Sequence, residues 1–247
     1  TKSTSITTTT STSTSTSTST SISTSTSTSI SISTSILVFI LLILVVILIL
    51  FIIIVCLKRF TVNKSLVING KDAISFVDSL ISNSLKDGMP KFSYLLSPDG
   101  KVNSWFIVYQ AGSEVFIFQD NDKLIQIKEF LLKYKFRTDC NLDLIDVQYS
   151  FAITTKENEL LINQIEEKNE IANFLKLETQ FDLPSKSIIE KGLMPNEILW
   201  LESFVDYFKG CFIGQEQTSR VKYRGRPRRI LKTLPDGSQV IDKITNE

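Results

Sequence analysis

Polar and apolar positions fall into three regimes along the chain. Residues 1–35 are serine and threonine with scattered isoleucine and one lysine, Lys2. Such a tract buries too little apolar surface to offset backbone ordering, so disorder is expected. Residues 36–57 are an unbroken apolar run of 22 residues without a charge, which meets the length of a membrane-spanning helix. Beyond residue 60, alternating and helical periods take turns, the signature of a folded domain.

In that folded part, residues 65–68 read as a short strand, and Asn69-Gly70 turns it into a helix from 71 to 85 carrying Ala73, Ile74, Val77, Leu80 and Ile81 on one face. Residues 91–96 and 101–110 alternate on either side of Ser97-Pro98-Asp99-Gly100, predicting a hairpin, and 114–119 is a third strand. A second amphipathic helix is expected over 124–134, with strands at 142–147 and 149–154. Residues 157–177 are polar and strong in helix propensity, with Leu160, Leu161, Ile165, Ile171, Phe174 and Leu175 supplying an apolar face. They are read as a helix, as is 198–207. Leu234-Pro235-Asp236-Gly237-Ser238 predicts a last hairpin turn. Strand, helix, meander, helix and strands in this order predict an α+β fold with helices packed on antiparallel sheets, divided into subdomains at 60–155 and 156–247.

Charge adds an orientation. Lys58, Arg59 and Lys64 follow the apolar run while only Lys2 precedes it, so a true span would leave the folded part on the cytoplasmic or matrix side. The competing reading of residues 1–57 is translated simple-sequence DNA upstream of a misplaced start. Three cysteines, Cys56, Cys140 and Cys211, show no CxxC pair, pointing to free thiols in a reducing compartment and to no metal held by the protein. The chain has no histidine, which removes Ser/His/Asp and Cys/His catalysis and His-ligated zinc. The net charge of +1 is uninformative, but from Arg220 to Lys232 there are seven basic residues and no acidic one.

The densest chemistry lies in K-G-C-F-I-G-Q-E-Q-T-S-R-V-K-Y-R-G, residues 209–225. Gly210 and Gly214 bracket Cys211, Phe212 and Ile213, as in a short buried turn. Gln215 and Glu216 present an amide and a carboxylate. Arg220, Lys222 and Arg224 recur at every second position, so an extended backbone would point all three to one face as a site for an anion.

Lys209, Gly210, Cys211, Phe212, Gly214, Gln215 and Glu216, with Arg220, Tyr223, Arg224 and Gly225, resemble the K-G-C-[YF]-x-G-Q-E…R…[YH]-R-G motif of the YgfZ family. These are folate-binding proteins of iron–sulfur cluster assembly and repair, related to the glycine cleavage T-protein, an aminomethyltransferase. Residues 70–109 resemble the amino-terminal half of the same family through Asp72-Ala73, Ile81-Ser82-Asn83, the 94–101 hairpin and Phe106. Ser84 and Ser104-Trp105 depart from it, where the family usually carries acidic residues. The small β-barrel with which family members usually continue cannot be built from the 22 residues after Gly225, so the resemblance covers residues 65–232.

The resemblance implies a tetrahydrofolate ligand, iron–sulfur assembly proteins or client enzymes as partners, and residence in a mitochondrial matrix or bacterial cytoplasm. It makes Cys211 the functional thiol, for which Lys209 and the basic run would favour the thiolate. Gln215 and Glu216 would orient a pterin ring, and Lys209, Arg220, Lys222, Tyr223 and Arg224 would complete the folate site, with Arg binding the glutamate tail. Two alternatives stay open. One is a folate-dependent aminomethyltransferase. The other is DNA binding by an AT-hook-like Arg224-Gly225-Arg226-Pro227 segment on a membrane-tethered protein.

Overall fold

The computed structural model of the protein describes residues 38–47, 58–225 and 227–244. Residues 38–47 form helix α1, ten exposed apolar residues that belong to a unit of their own. The whole low-complexity tract, and both ends of the apolar run expected to span a membrane, lie outside the described residues. No described helix is long and apolar enough to cross a membrane.

The larger unit is built on a six-stranded antiparallel sheet. Its strands are β1 (Lys58–Asn69), β2 (Lys91–Leu96), β3 (Val102–Ala111), β4 (Glu114–Phe118), β5 (Asn141–Lys156) and β6 (Glu159–Ile165). They lie in the order β2-β3-β4-β1-β5-β6. Alternation is written into the strands, but both faces are apolar. Leu66, Ile68, Leu95, Phe106, Val108 and Ile117 project to one side. There α2 (Ala73–Leu80) and α3 (Asn121–Tyr134) cover them with Val77, Leu80, Leu124, Ile127 and Leu131. The intervening Val67, Tyr94, Leu96, Trp105, Ile107 and Phe118 project to the other side. That side is filled by the later chain, through Phe174, Leu177, Leu183, Ile188, Leu193, Trp200, Phe204 and Phe212.

The sheet is curled. A bulge between Val62 and Lys64 shifts the β1–β5 register, which increases local twist. The two edge strands β2 and β6 come close together, with α6 (Leu201–Phe204) between them. Polar residues fasten that closure. Ser203 Oγ accepts from Leu160 N at 2.7 Å, and Asn83 Nδ2 donates to Phe92 O and Ser203 O at 2.8 and 2.9 Å. Ser82 Oγ donates to Phe204 O and accepts from Tyr94 N. The result is a mixed helix-and-sheet fold around a curled half-barrel.

Several expectations need correction. The first strand is three times the expected length, and residues 142–147 and 149–154 belong to one 16-residue strand. The helix expected over 157–177 is instead the second arm of the β5–β6 hairpin, a loop, and α4 (Phe174–Gln180). Pairing Leu160 with Thr155 and Ile162 with Ile153 buries both side chains on the inner face, which outweighs helix propensity. Glu157, at φ 53, makes the reversal. Residues 155 and 156, where the subdomain boundary is expected, are the last two residues of β5, beside that turn. The helix over 198–207 is reduced to the four residues of α6.

After α5 (Lys186–Ile189) and a 3-10 turn, Pro195–Glu197, the chain passes through α6 to α7 (Gln215–Arg224), then into the hairpin β7 (Arg229–Thr233) and β8 (Gln239–Lys243). The predicted final turn is present, with Leu234 N donating to Ser238 O.

Candidate functional site

The segment Asp206–Gly214 is a loop pinned at both ends by the buried side chains Val205 and Phe212. Its strongest anchor is Lys209. The side chain is 3% exposed, and its ammonium meets four oxygens: Asp78 O at 2.6 Å, Asp78 Oδ1 at 3.0 Å, Ile81 O at 3.1 Å and Asn83 O at 2.9 Å. These oxygens surround the end of α2, where carbonyls lack helical partners and a cation is favoured. Burial lowers the Lys209 pKa, with the Asp78 carboxylate opposing. The positive charge expected beside Cys211 therefore points into the protein.

Gly214 begins α7 with φ 78. A Cβ there would lie 2.5 Å from Ser97 O and 3.1 Å from Gly100 Cα, so the motif glycine seats directly on the predicted β2–β3 turn. Around Gly210, by contrast, a Cβ would meet nothing within 4 Å, and no close approach fixes that residue. Cys211, between them, is exposed rather than part of a buried turn. Gln215 Oε1 accepts from Phe212 N at 3.4 Å, tying the helix start back to the loop.

The expectation of an extended Arg220–Arg224 segment is overturned, since these residues lie in α7. In a helix, alternate residues diverge and residues three or four apart converge. Glu216, Ser219, Arg220, Tyr223 and Arg224 consequently line one concavity of about 360 Å³, with Arg220 bonded to Glu216 at 3.0 Å. Lys222 leaves by another side. It bonds both oxygens of Glu202 at 2.8 and 3.0 Å and sits 4.1 Å from the centre of the Tyr207 ring. Of the eight residues predicted for the site, four share this concavity. Lys209 and Gln215 make structural bonds, Lys222 serves the Glu202–Tyr207 side, and Cys211 stands on the preceding loop.

Sequence reasoning missed a second grouping between the edge strands, which contains Lys91, Asp206 and Tyr207 together with Lys222. Ser84, one of the departures from the family pattern, accepts from Lys91 Nζ at 2.7 Å. Burial would raise the Asp206 carboxyl, but hydrogen bonds from Ser84 and the Phe208 amide, with the charge of Lys91, bring it below the usual range. Only the Ile81-Ser82-Asn83 segment hinted at this region in sequence, because its members come from separate elements. Among the described residues there is no cluster of three metal-ligating side chains. Cys140 is buried, which raises its thiol pKa.

No protein-family model matches the chain. It is 27% identical over 189 residues to an uncharacterized protein of Haemophilus influenzae, an alignment covering 66% of this chain and 68% of that protein. Among solved structures it is similar to the glycine cleavage system aminomethyltransferase T from Bartonella henselae, at a TM-score of 0.32 and 16% identity. That match covers 52% of this chain, which spans about a third of the other protein's length, 33%.

Proposed function

We propose that the protein binds a reduced folate on the outward face of α7 and thereby supports iron–sulfur cluster assembly or repair in client enzymes. The observation that carries the reading is the grouping of Glu216, Arg220, Tyr223 and Arg224 about one concavity, within a segment that resembles the folate-binding YgfZ motif. A tetrahydrofolate tail ends in two carboxylates, and a guanidinium fork matches a carboxylate in two hydrogen bonds. Arg220 and Arg224, one helical turn apart, take the tail, while the exposed ring of Tyr223 packs on the aminobenzoyl group. Cys211 supplies an accessible thiol on the adjoining loop. A compartment that keeps this thiol reduced, a mitochondrial matrix or bacterial cytoplasm, suits the role.

Anaerobic calorimetric titration of the full chain with tetrahydrofolate tests the proposal beside the double variant Arg220→Ala, Arg224→Ala. Losing two charge-assisted contacts should weaken binding by at least about tenfold. Affinity that persists in the double variant overturns the site. Cys211→Ser should bind folate normally yet fail to restore iron–sulfur enzyme activity in cells lacking the protein, and full restoration would remove the thiol from the mechanism.

A further inference from the structure

We propose that the seam between the two edge strands of the half-barrel is a second binding site, one for a small carboxylate with a flat apolar body. The seam holds a cavity of about 470 Å³ between the start of β2 and the first residues of β6, closed below by α6 and at one side by Lys222. This volume lies within the usual range for small-molecule pockets. Phe92, Leu160 and Val205 form a buried apolar floor. Met89, Leu161 and Phe208 stand at its mouth, 47%, 40% and 95% exposed. A bare phenylalanine ring in water forgoes the free energy of apolar burial, and a ligand seated here would cover it.

Hydrogen-bond accounting sets the sign of the ligand. Both Glu202 oxygens are bonded to Lys222, and Asp206 Oδ1 accepts from Phe208 N. Both Asn83 amide protons go to Phe92 O and Ser203 O, its Oδ1 accepts from Ser84 N, and Ser203 Oγ accepts from Leu160 N. Glu159 and Asn163 sit on the exposed rim, where water serves them.

What remain are donors. Lys91 bonds only the Ser84 hydroxyl and pairs with no carboxylate within 4.0 Å, which leaves two of its three ammonium protons to offer. The Tyr207 hydroxyl is buried with no partner among the described residues. An ammonium with spare protons and no carboxylate partner calls for an anionic acceptor, which a carboxylate supplies and an amine does not. Burial already lowers the Lys91 pKa, so its charge is one that an arriving anion would stabilise. The site is distinct from the arginine face of α7, for Tyr207 lines one and Tyr223 the other.

The test uses three isosteric probes on the full chain, followed by calorimetry or ligand-observed NMR: 3-phenylpropanoate, 3-phenylpropanol and 3-phenylpropylamine. The carboxylate should bind at least about tenfold more tightly than the alcohol or the amine. Lys91→Met, which keeps the aliphatic stem, should reduce the carboxylate to the level of the alcohol, and Tyr207→Phe should cost about threefold. Equal binding of the three probes overturns the proposal, as does an undiminished carboxylate affinity in folded Lys91→Met. So does the absence of saturable carboxylate binding up to about 10 mM. The probe comparison on the unaltered protein decides the matter even if a variant fails to fold.

Discussion

Lys209 shows how one side chain can look functional in sequence and prove structural in space. A lysine beside a Gly-Cys pair reads as an electropositive partner for the thiol, yet its ammonium is spent on three carbonyls and the Asp78 carboxylate at the end of α2. Lys209→Met would leave those buried oxygens without their donor, at a cost of roughly 2–5 kcal/mol. Chemical denaturation measures this directly, and a loss below about 0.5 kcal/mol would show that the tie is dispensable. The two motif glycines separate by the same logic. Gly214→Ala must force a left-handed residue and a Cβ against Ser97 O, costing about 2–4 kcal/mol. Gly210→Ala, in open space, should stay within about 0.5 kcal/mol of the unaltered protein. The glycine that the sequence marks most usefully is the one that touches another element.

At the scale of elements, what could be read in advance was whatever local chemistry decides. The β2–β3 hairpin was legible because Ser97, Pro98, Asp99 and Gly100 each have a turn mechanism. Gly100 duly sits at φ 80, and Asp99, bonded by Lys101 and Ser97, falls to a pKa of about 2. The β6 strand was not legible, since its residues prefer helix until β5 offers a pairing edge. For the same reason the alternate basic residues after Gly214 suggested a strand where Gly214 starts a helix. The site suffered most, because Lys91, Asp206 and Tyr207 meet only through the curl of the sheet. The link between α3 and α4 carries a prediction of the same kind. Glu178 in α4 is 3% exposed and bonded to Lys123 of α3. Burial raises its pKa above 4.5, with Lys123 only partly opposing. Between the unfolded and the raised folded pKa the folded state holds the extra proton, so this group's contribution to stability falls as pH rises. Glu178→Gln should therefore gain on the unaltered protein as pH climbs from 4 toward neutrality, as read by thermal melts. A difference that shrinks with pH would reverse the assignment.

For the whole molecule, the question is whether the chain on either side of the β5–β6 turn folds separately, as a division at 155/156 would require. The inner face of the sheet has no cover of its own. Trp105 on β3 donates its indole N–H to Pro184 O at 3.1 Å, and its ring lies 6.0 Å from that of Phe174. Trp200 lies in the same core and donates to Phe181 O. Removing the second half would expose Phe92, Tyr94, Trp105, Phe118 and Phe151, now all within 1% of full burial. At about 1.5–3 kcal/mol per such side chain, that loss rivals the whole stability of a domain this size. The halves should therefore unfold together. The chain has only two tryptophans, so Trp200→Phe leaves a reporter in the first half and Trp105→Phe one in the second. In each variant the urea transition seen by fluorescence should coincide with loss of strand circular dichroism. A Trp200 signal that moves at lower urea than the strands would mean that the carboxy-terminal segment peels away from a self-sufficient sheet. The seam cavity and the α7 concavity would then lie on a part able to open without unfolding the rest.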